Sequence, residues 1–259
     1  MELPVSSPAE LSRLRARIVA LEGVGADAVP GAVALGLPEL DAALPWGGLA
    51  LGCLHEVTVA GSGSGPGSGP ADGAATAFSA VLLGRLAAGA GKPALWISRG
   101  DMPYAPGLAA LGLSPERLVM VQPHRAAQCL WVLEEGLRCR ALAGVLAEVR
   151  DVDLTAARRL QLAARASGVP AVLLNHGPSG GTAVTRWGVE SSPSRGDPAL
   201  GVGRWCWHVE LLRCRGRGVD DQGRVAAWEV EWDEQARGLR LAAPAADRAI
   251  APGRLRAAG

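Results

Sequence analysis

The chain of 259 residues carries 26 basic and 25 acidic side chains, a net charge of +1, which excludes the diffuse attraction expected of a strongly basic nucleic-acid coat. Its 49% apolar content and mean hydropathy of +0.17 supply a buried core and exclude wholesale disorder. The 35 glycines follow no G-X-Y period, so a collagen-like fibre is excluded as well.

Ser7, Pro8 and Glu10 form a capping box with proline at the first helical position. Behind it Leu11, Leu14, Ile18 and Leu21 recur at steps of three and four, which predicts an amphipathic helix over residues 1–25. Its apolar stripe either packs on its own domain or docks on a partner. A Gly/Ala/Pro stretch, residues 26–34, reads as a linker. A single α/β domain is then expected over 35–243. A short helix (Leu37–Leu44) leads into the strand CLHEVTVA (Cys53–Ala60) and a Gly/Ser/Pro loop, Gly61–Pro70. Helices are predicted over Ala74–Ala88, Ala105–Leu111, Ala126–Arg140 and Thr155–Ser167. Strands are predicted at Pro93–Ser98, Arg117–Gln122, Gly144–Val149 and Pro170–Asn175. Apolar strands alternating with helices predict a mostly parallel sheet covered on both faces. After Gly177 the pattern turns antiparallel. Trp205, Trp207, Val209 and Leu211 alternate with polar residues, as do Trp228, Val230 and Trp232, with a Gly/Asp turn between the two runs. Most of the eight Trp are therefore expected in the core. Residues 244–259 read as a loose tail.

The five cysteines (Cys53, Cys129, Cys139, Cys206, Cys214) are odd in number and form no C-x-x-C pair. Neither a disulfide framework nor a metal site is expected. No signal-peptide core is present, and no apolar run is expected to approach the ~18 residues of a membrane span. A cytoplasmic protein without a membrane partner is the expectation.

A strand, a Gly-rich loop and a helix at the start of a parallel sheet is the layout of a P-loop. Backbone N–H groups there cradle phosphates, a lysine neutralises them, and a Ser or Thr hydroxyl holds magnesium. Here the helix is entered through Gly73, Ala74 and Ala75, with alanines where Lys and Ser/Thr would stand. The only lysine, Lys92, sits in GAGKP and leads into a strand. Arginine cannot take the compact role of the P-loop lysine. The outline of a nucleotide site is present and its chemistry is missing, so no cofactor is expected.

Arg213, Arg215 and Arg217 share one strand parity. They form either a phosphate-contacting patch for single-stranded DNA or, more commonly for such clusters, solvated strand-end charges. Arg186 and Trp187, in the Gly/Ser/Thr-rich segment Gly177–Arg195, are further candidates for DNA contact. No serine has a nucleophile context, and no histidine has a metal-ligand partner at helical spacing.

The segments Leu35–Gly61 and Gly91–Pro123 resemble the opening of the RecA ATPase core. LWISRGDMPYAPGLAALGL, LWVLEEGLR (Leu130–Arg138) and LTAARRLQLAARASGVPAVLL (Leu154–Leu174) resemble the ImuA family, RecA-like proteins of bacterial SOS mutagenesis cassettes that are sometimes labelled SulA-like. The resemblance covers about Leu35 to Leu241. It implies a RecA-like core with a C-terminal antiparallel extension and an N-terminal helical arm. Carried over, the P-loop lysine position falls on Ala74 and the catalytic glutamate on Gly100, beside Asp101. The Walker B acid falls on Glu148, and the γ-phosphate sensor, at the end of the last parallel strand, falls on His176. No catalytic residue is retained except Glu148 as a vestige. The implied function is an adaptor in damage-induced translesion synthesis. Its implied partners are RecA, an ImuB-type Y-family polymerase-like protein and an error-prone replicative-type polymerase, with single-stranded DNA a further candidate. The rivals are an ATP-dependent recombination regulator with Glu148 and Asp101 on magnesium, and a SulA-like division inhibitor. In the adaptor reading the arm, through Leu11, Leu14, Ile18 and Leu21, is a partner-binding element.

Overall fold

The computed structural model describes residues 31–59, 73–150, 152–177, 181–194, 203–220 and 222–242. Leu11, Leu14, Ile18 and Leu21 of the expected arm, the loop 61–70 and the expected tail lie outside the described residues. A two-stranded ribbon opens the described chain: β1 (Ala32–Val33) pairs antiparallel with β2 (Leu49–Ala50). Residues 32–33, expected as linker, are therefore strand. Between them lies α1 (Pro38–Ala43), whose Asp41 carboxylate accepts the N–H groups of Leu35 (2.7 Å) and Gly36 (3.0 Å).

The main sheet has nine strands: β3 (Leu54–Val59), β4 (Ala94–Ile97), β5 (Leu118–Val121), β6 (Val145–Val149), β7 (Ala171–Asn175), β8 (Thr185–Ser192), β9 (Cys206–Cys214), β10 (Ala226–Asp233) and β11 (Gly238–Leu241). Their order is β11-β10-β9-β8-β3-β7-β6-β4-β5. From β5 across to β8 every pairing is parallel, and β8 through β11 are antiparallel. The protein is thus a mixed α/β structure with a large, mostly parallel sheet flanked by helices. The parallel strands read as near-continuous apolar runs because both faces are covered.

One departure concerns Gly177–Arg195. Within this Gly/Ser/Thr-rich segment Thr185–Ser192 is β8, the last parallel strand, running beside β3. The parallel set therefore does not end at Asn175. β8 alternates Thr185, Trp187 and Val189, all fully buried, with residues of the opposite face. Its burial against α2 (Gly73–Ala90) outweighs the weak strand signal of a Gly/Ser/Thr-rich stretch.

α2 lies on one face of the sheet. Phe78 sits 5.8 Å from the Trp187 ring and 6.5 Å from that of Trp207, inside a cluster with Trp96 and Trp232. The helix is 18 residues long and apolar enough by composition to cross a membrane, which corrects the expectation that no run reaches that length. Here Phe78, Val81, Leu82, Leu83 and Leu86 are buried on the sheet instead. The opposite face is covered by α4 (Ala126–Arg138) and α5 (Leu154–Ser167), packed on Leu54, Ile97 and Val145. α5 is capped by Asp153, whose carboxylate accepts the Ala156 N–H at 2.7 Å, and ends at Gly168 with φ of 82°. α3 (Ala105–Ala110) connects β4 to β5. The expectation for tryptophan needs one correction: Trp205 and Trp131 are 42% and 63% exposed, while Trp96, Trp187, Trp207 and Trp232 are buried.

Candidate functional site

Strands β4, β6 and β7 end side by side, and beyond their carboxyl ends opens a cleft of about 580 Å³. In open parallel sheets this is where ligands bind. Its walls include Thr76 in the first turn of α2, Arg99, Gly100 and Asp101 after β4, Glu148 and Arg150 at the end of β6, and His176 after β7. Four positions singled out by resemblance, Gly100, Asp101, Glu148 and His176, are therefore gathered in one place. Ala74 and Ala75 lie buried in the first turn of α2, next in sequence to Thr76 on the cleft wall, and Gly73 opens that helix.

Glu148 is held from both sides. Its Oε1 accepts the indole N–H of Trp96 at 3.2 Å, and its Oε2 accepts the Ser98 hydroxyl at 2.7 Å. Both donors come from β4 or the residue just after it, on the neighbouring strand, and both are fully buried. Ser98 Oγ also accepts the Gly100 N–H at 3.2 Å, which ties the turn after β4 to the same acid. A carboxylate with both oxygens engaged is a structural acceptor; free lone pairs remain, but its orientation is fixed.

His176 donates its backbone N–H to Val149 (2.9 Å). Burial lowers its pKa below the ordinary histidine value; Glu148 opposes this and Arg150 adds to it. Gly177 follows so close to Arg150 that a Cβ there would overlap the Arg150 carbonyl. Glycine is what allows the ends of β6 and β7 to converge. The Cys129 thiol, also on the cleft wall, is raised in pKa by burial, against the pull of Arg99.

Behind the cleft, Glu56 of β3 is buried among partners from two strands. Asn175 Nδ2 donates to it at 2.6 Å and Arg186 Nε at 3.1 Å. The Asn175 side-chain oxygen in turn accepts the Gly177 N–H at 3.0 Å. Arg186, a candidate for DNA contact, is thus bound into the sheet by a buried acid. Arg213 stands opposite it across β8 and β9, while Arg215 and Arg217 lie beyond the end of β9. Arg213 donates to the Gly181 carbonyl (2.5 Å), Arg215 to Thr182 (3.5 Å) and Arg217 to Ala42 of α1 (3.0 Å). They fasten the approach to β8 and α1 onto the end of β9. Lys92 lies before β4, at the opposite end of the sheet from the cleft, and donates to the Arg140 carbonyl at 2.9 Å.

Sequence reasoning did not single out Thr76, Trp96, Arg99 or Arg150. Trp96, Ser98 and Gly100 share one parity, and β4 and β6 are neighbours; the pairing Trp96↔Leu146 supplies the missing information. Among the described residues no group of three His, Cys, Asp or Glu is close enough to hold a metal ion.

No family model matches the chain. It is 36% identical to Protein ImuA of Caulobacter vibrioides strain NA1000 / CB15N over 235 residues, 85% of this chain and 92% of that protein. Protein ImuA of strain ATCC 19089 / CIP 103742 / CB 15 matches to the same extent. The chain belongs to the ImuA family. The match to ImuA spans most of both chains, so it takes in the cleft-bearing sheet and not a single motif. The clamp on Glu148 and the Glu56–Asn175–Arg186 group are properties of this ImuA-family chain itself.

Proposed function

We propose that this protein is a catalytically silent, RecA-like adaptor of DNA-damage-induced translesion synthesis in the cytoplasm. Its partners are RecA, an ImuB-type Y-family polymerase-like protein and an error-prone replicative-type polymerase. Family membership supports the pathway. The six parallel strands, with the glycine-loop strand β3 inside the sheet and the cleft at the strand ends, support the RecA-like core.

The observation that carries the silent reading is the composition of the cleft. Where phosphoryl transfer needs a lysine, a magnesium-binding hydroxyl and a base for water, this chain has Ala74, Ala75 and Gly100. The one retained acid, Glu148, is clamped by Trp96 and Ser98. Preorganised charge supplies most of the rate enhancement in such catalysis, so ATP turnover falls by several orders of magnitude relative to an intact site. The N-terminal segment expected as a helix, through Leu11, Leu14, Ile18 and Leu21, is the proposed partner-binding element. The arginines 186, 213, 215 and 217 serve the fold, and single-stranded DNA is reached through the partners.

The test is co-purification of the full chain with RecA and with an ImuB-type protein from the same cassette. Retention of both, and loss of at least one on deleting residues 1–25, is expected. Retention of neither, with measurable ATP turnover by the purified chain, overturns the proposal.

A further inference from the structure

We propose that the groove between α4 and α5 is a docking surface for an acidic amphipathic helix of a partner protein. The groove, about 480 Å³, has a small-residue floor of Ala163, Ala166 and Ser167 and walls that include Leu162, Arg138, Arg140 and Arg159. Leu162 is 68% exposed, and Trp131, one turn before Glu134 on α4, is 63% exposed. Exposed leucine and arginine line the groove, and Trp131 continues the stripe of Arg138 along α4; Trp and Arg with little lysine is the composition of an interface hot spot.

The charge on this face selects the occupant. Glu134 bridges the two helices: Arg138 pairs with its Oε1 at 2.6 Å, and Arg159 from α5 with its Oε2. Arg138 also reaches Glu135 at 2.8 Å. The bridge fixes the guanidiniums along the groove and leaves the walls with an excess of positive charge. On α5 the solvent stripe reads Arg158, Leu162, Arg165 at steps of four and three. A leucine flanked above and below by exposed arginines suits a helix whose apolar ridge enters the groove while glutamates or aspartates line both sides. A nucleic-acid strand suits it less. Stacking of successive bases needs several aromatic faces, and α4 and α5 expose one, Trp131.

The probe is a fluorescein-labelled helical peptide of about 18 residues (five turns). It has leucine at helical spacing and glutamate on the flanks, and its control has lysine for each glutamate. Titrated with the full chain, the acidic peptide should bind with a Kd of about 10–100 µM and the basic one at least about tenfold more weakly. Binding of the acidic peptide should weaken with added salt. Leu162→Asp, and separately Arg158→Glu with Arg165→Glu, should each reduce its affinity about tenfold or more. These side chains point to solvent, so an unchanged melting temperature shows that the fold is intact. The surface is overturned if the two peptides bind equally, if the acidic peptide does not bind, or if the variants bind it as the parent does. It is overturned too if an oligo-dT strand binds more tightly than the peptide and loses that binding in the same variants. The peptide assay concerns this face alone, so it stands or falls separately from pull-down of RecA or the polymerase.

Discussion

Lowering the pH should destabilise this protein through the histidines whose pKa burial lowers, and most strongly through His55. It lies in β3 with no exposed surface. Its Nε2–H donates to the Ala50 carbonyl (2.8 Å), and its Nδ1 accepts the Thr185 hydroxyl (2.8 Å), whose oxygen accepts the Trp187 indole N–H (2.9 Å). A carbonyl can only accept, so Nε2 carries a proton; complete burial disfavours the charged ring, which leaves Nδ1 as the acceptor from Thr185. Burial lowers the pKa from 6.5 to about 4, with the Ala50 hydrogen bond opposing the shift. Between those values the unfolded chain binds a proton that the folded chain does not, so stability rises with pH. The contribution is complete above pH 6.5 and is lost as pH falls toward 4. At ~1.4 kcal/mol per pKa unit it amounts to about 3 kcal/mol. His208 acts in the opposite sense. Burial works against its protonation, but Glu229 and Glu210 outweigh it and raise the pKa. Its stabilisation is present at acid pH and fades as pH rises through the raised value. The assay is therefore a difference: urea unfolding of the parent and of His55→Gln, followed by tryptophan fluorescence across the interval between the two pKa values of His55. The stability advantage of the parent over the variant should shrink by about 3 kcal/mol toward pH 4. Parallel curves, or a His55 ring that titrates near pH 6.5 in the folded protein by NMR, would refute the reasoning.

Phe78→Ala removes a fully buried ring packed against Trp187 and Trp207, and should cost about 3–5 kcal/mol in urea unfolding. Glu148→Leu leaves the buried Trp96 N–H and Ser98 O–H without an acceptor and should cost about 1–3 kcal/mol, whereas Glu148→Gln, which keeps an acceptor oxygen, should cost less than half as much. Arg186→Gln removes the guanidinium from the buried Glu56 carboxylate; since its own side chain is 28% exposed, the loss should be about 2 kcal/mol. Arg217→Gln should lie within about 0.5 kcal/mol of the parent in the same assay, so equal losses for the two would show that Arg186 is not held as described.

The parallel half of this fold was legible because its strands have a strong, local pattern. VLAEV and AVLLN are almost wholly apolar, and each is bounded by turn residues. β8 was not legible as strand because TRWGVESS has only two large apolar residues, with glycine between them, inside a polar stretch. What makes it a strand is contact with Phe78 and β3, more than a hundred positions away in the chain. The arginine readings differ for the same reason. Arg186 reads as a DNA contact from the sequence because its partner, Glu56, stands 130 positions earlier. Parity within a strand identifies neighbours along it and not across it, so the common face of Arg213, Arg215 and Arg217 did not reveal that they reach three different carbonyls. The cleft was legible only in part. The absences at Ala74, Ala75 and Gly100 are local facts and could be read directly, while the clamp on Glu148 depends on the registry of β4 with β6.

The most direct measurement of whether this chain binds partners without nucleotide chemistry is the melting temperature of the full chain titrated with Mg-ATP. Any ligand that binds the folded state raises its stability as its concentration exceeds the Kd. An adaptor without the phosphate lysine and magnesium hydroxyl should melt at the same temperature across the titration, while still co-purifying with RecA and an ImuB-type protein. A saturable rise in melting temperature with Mg-ATP would contradict it.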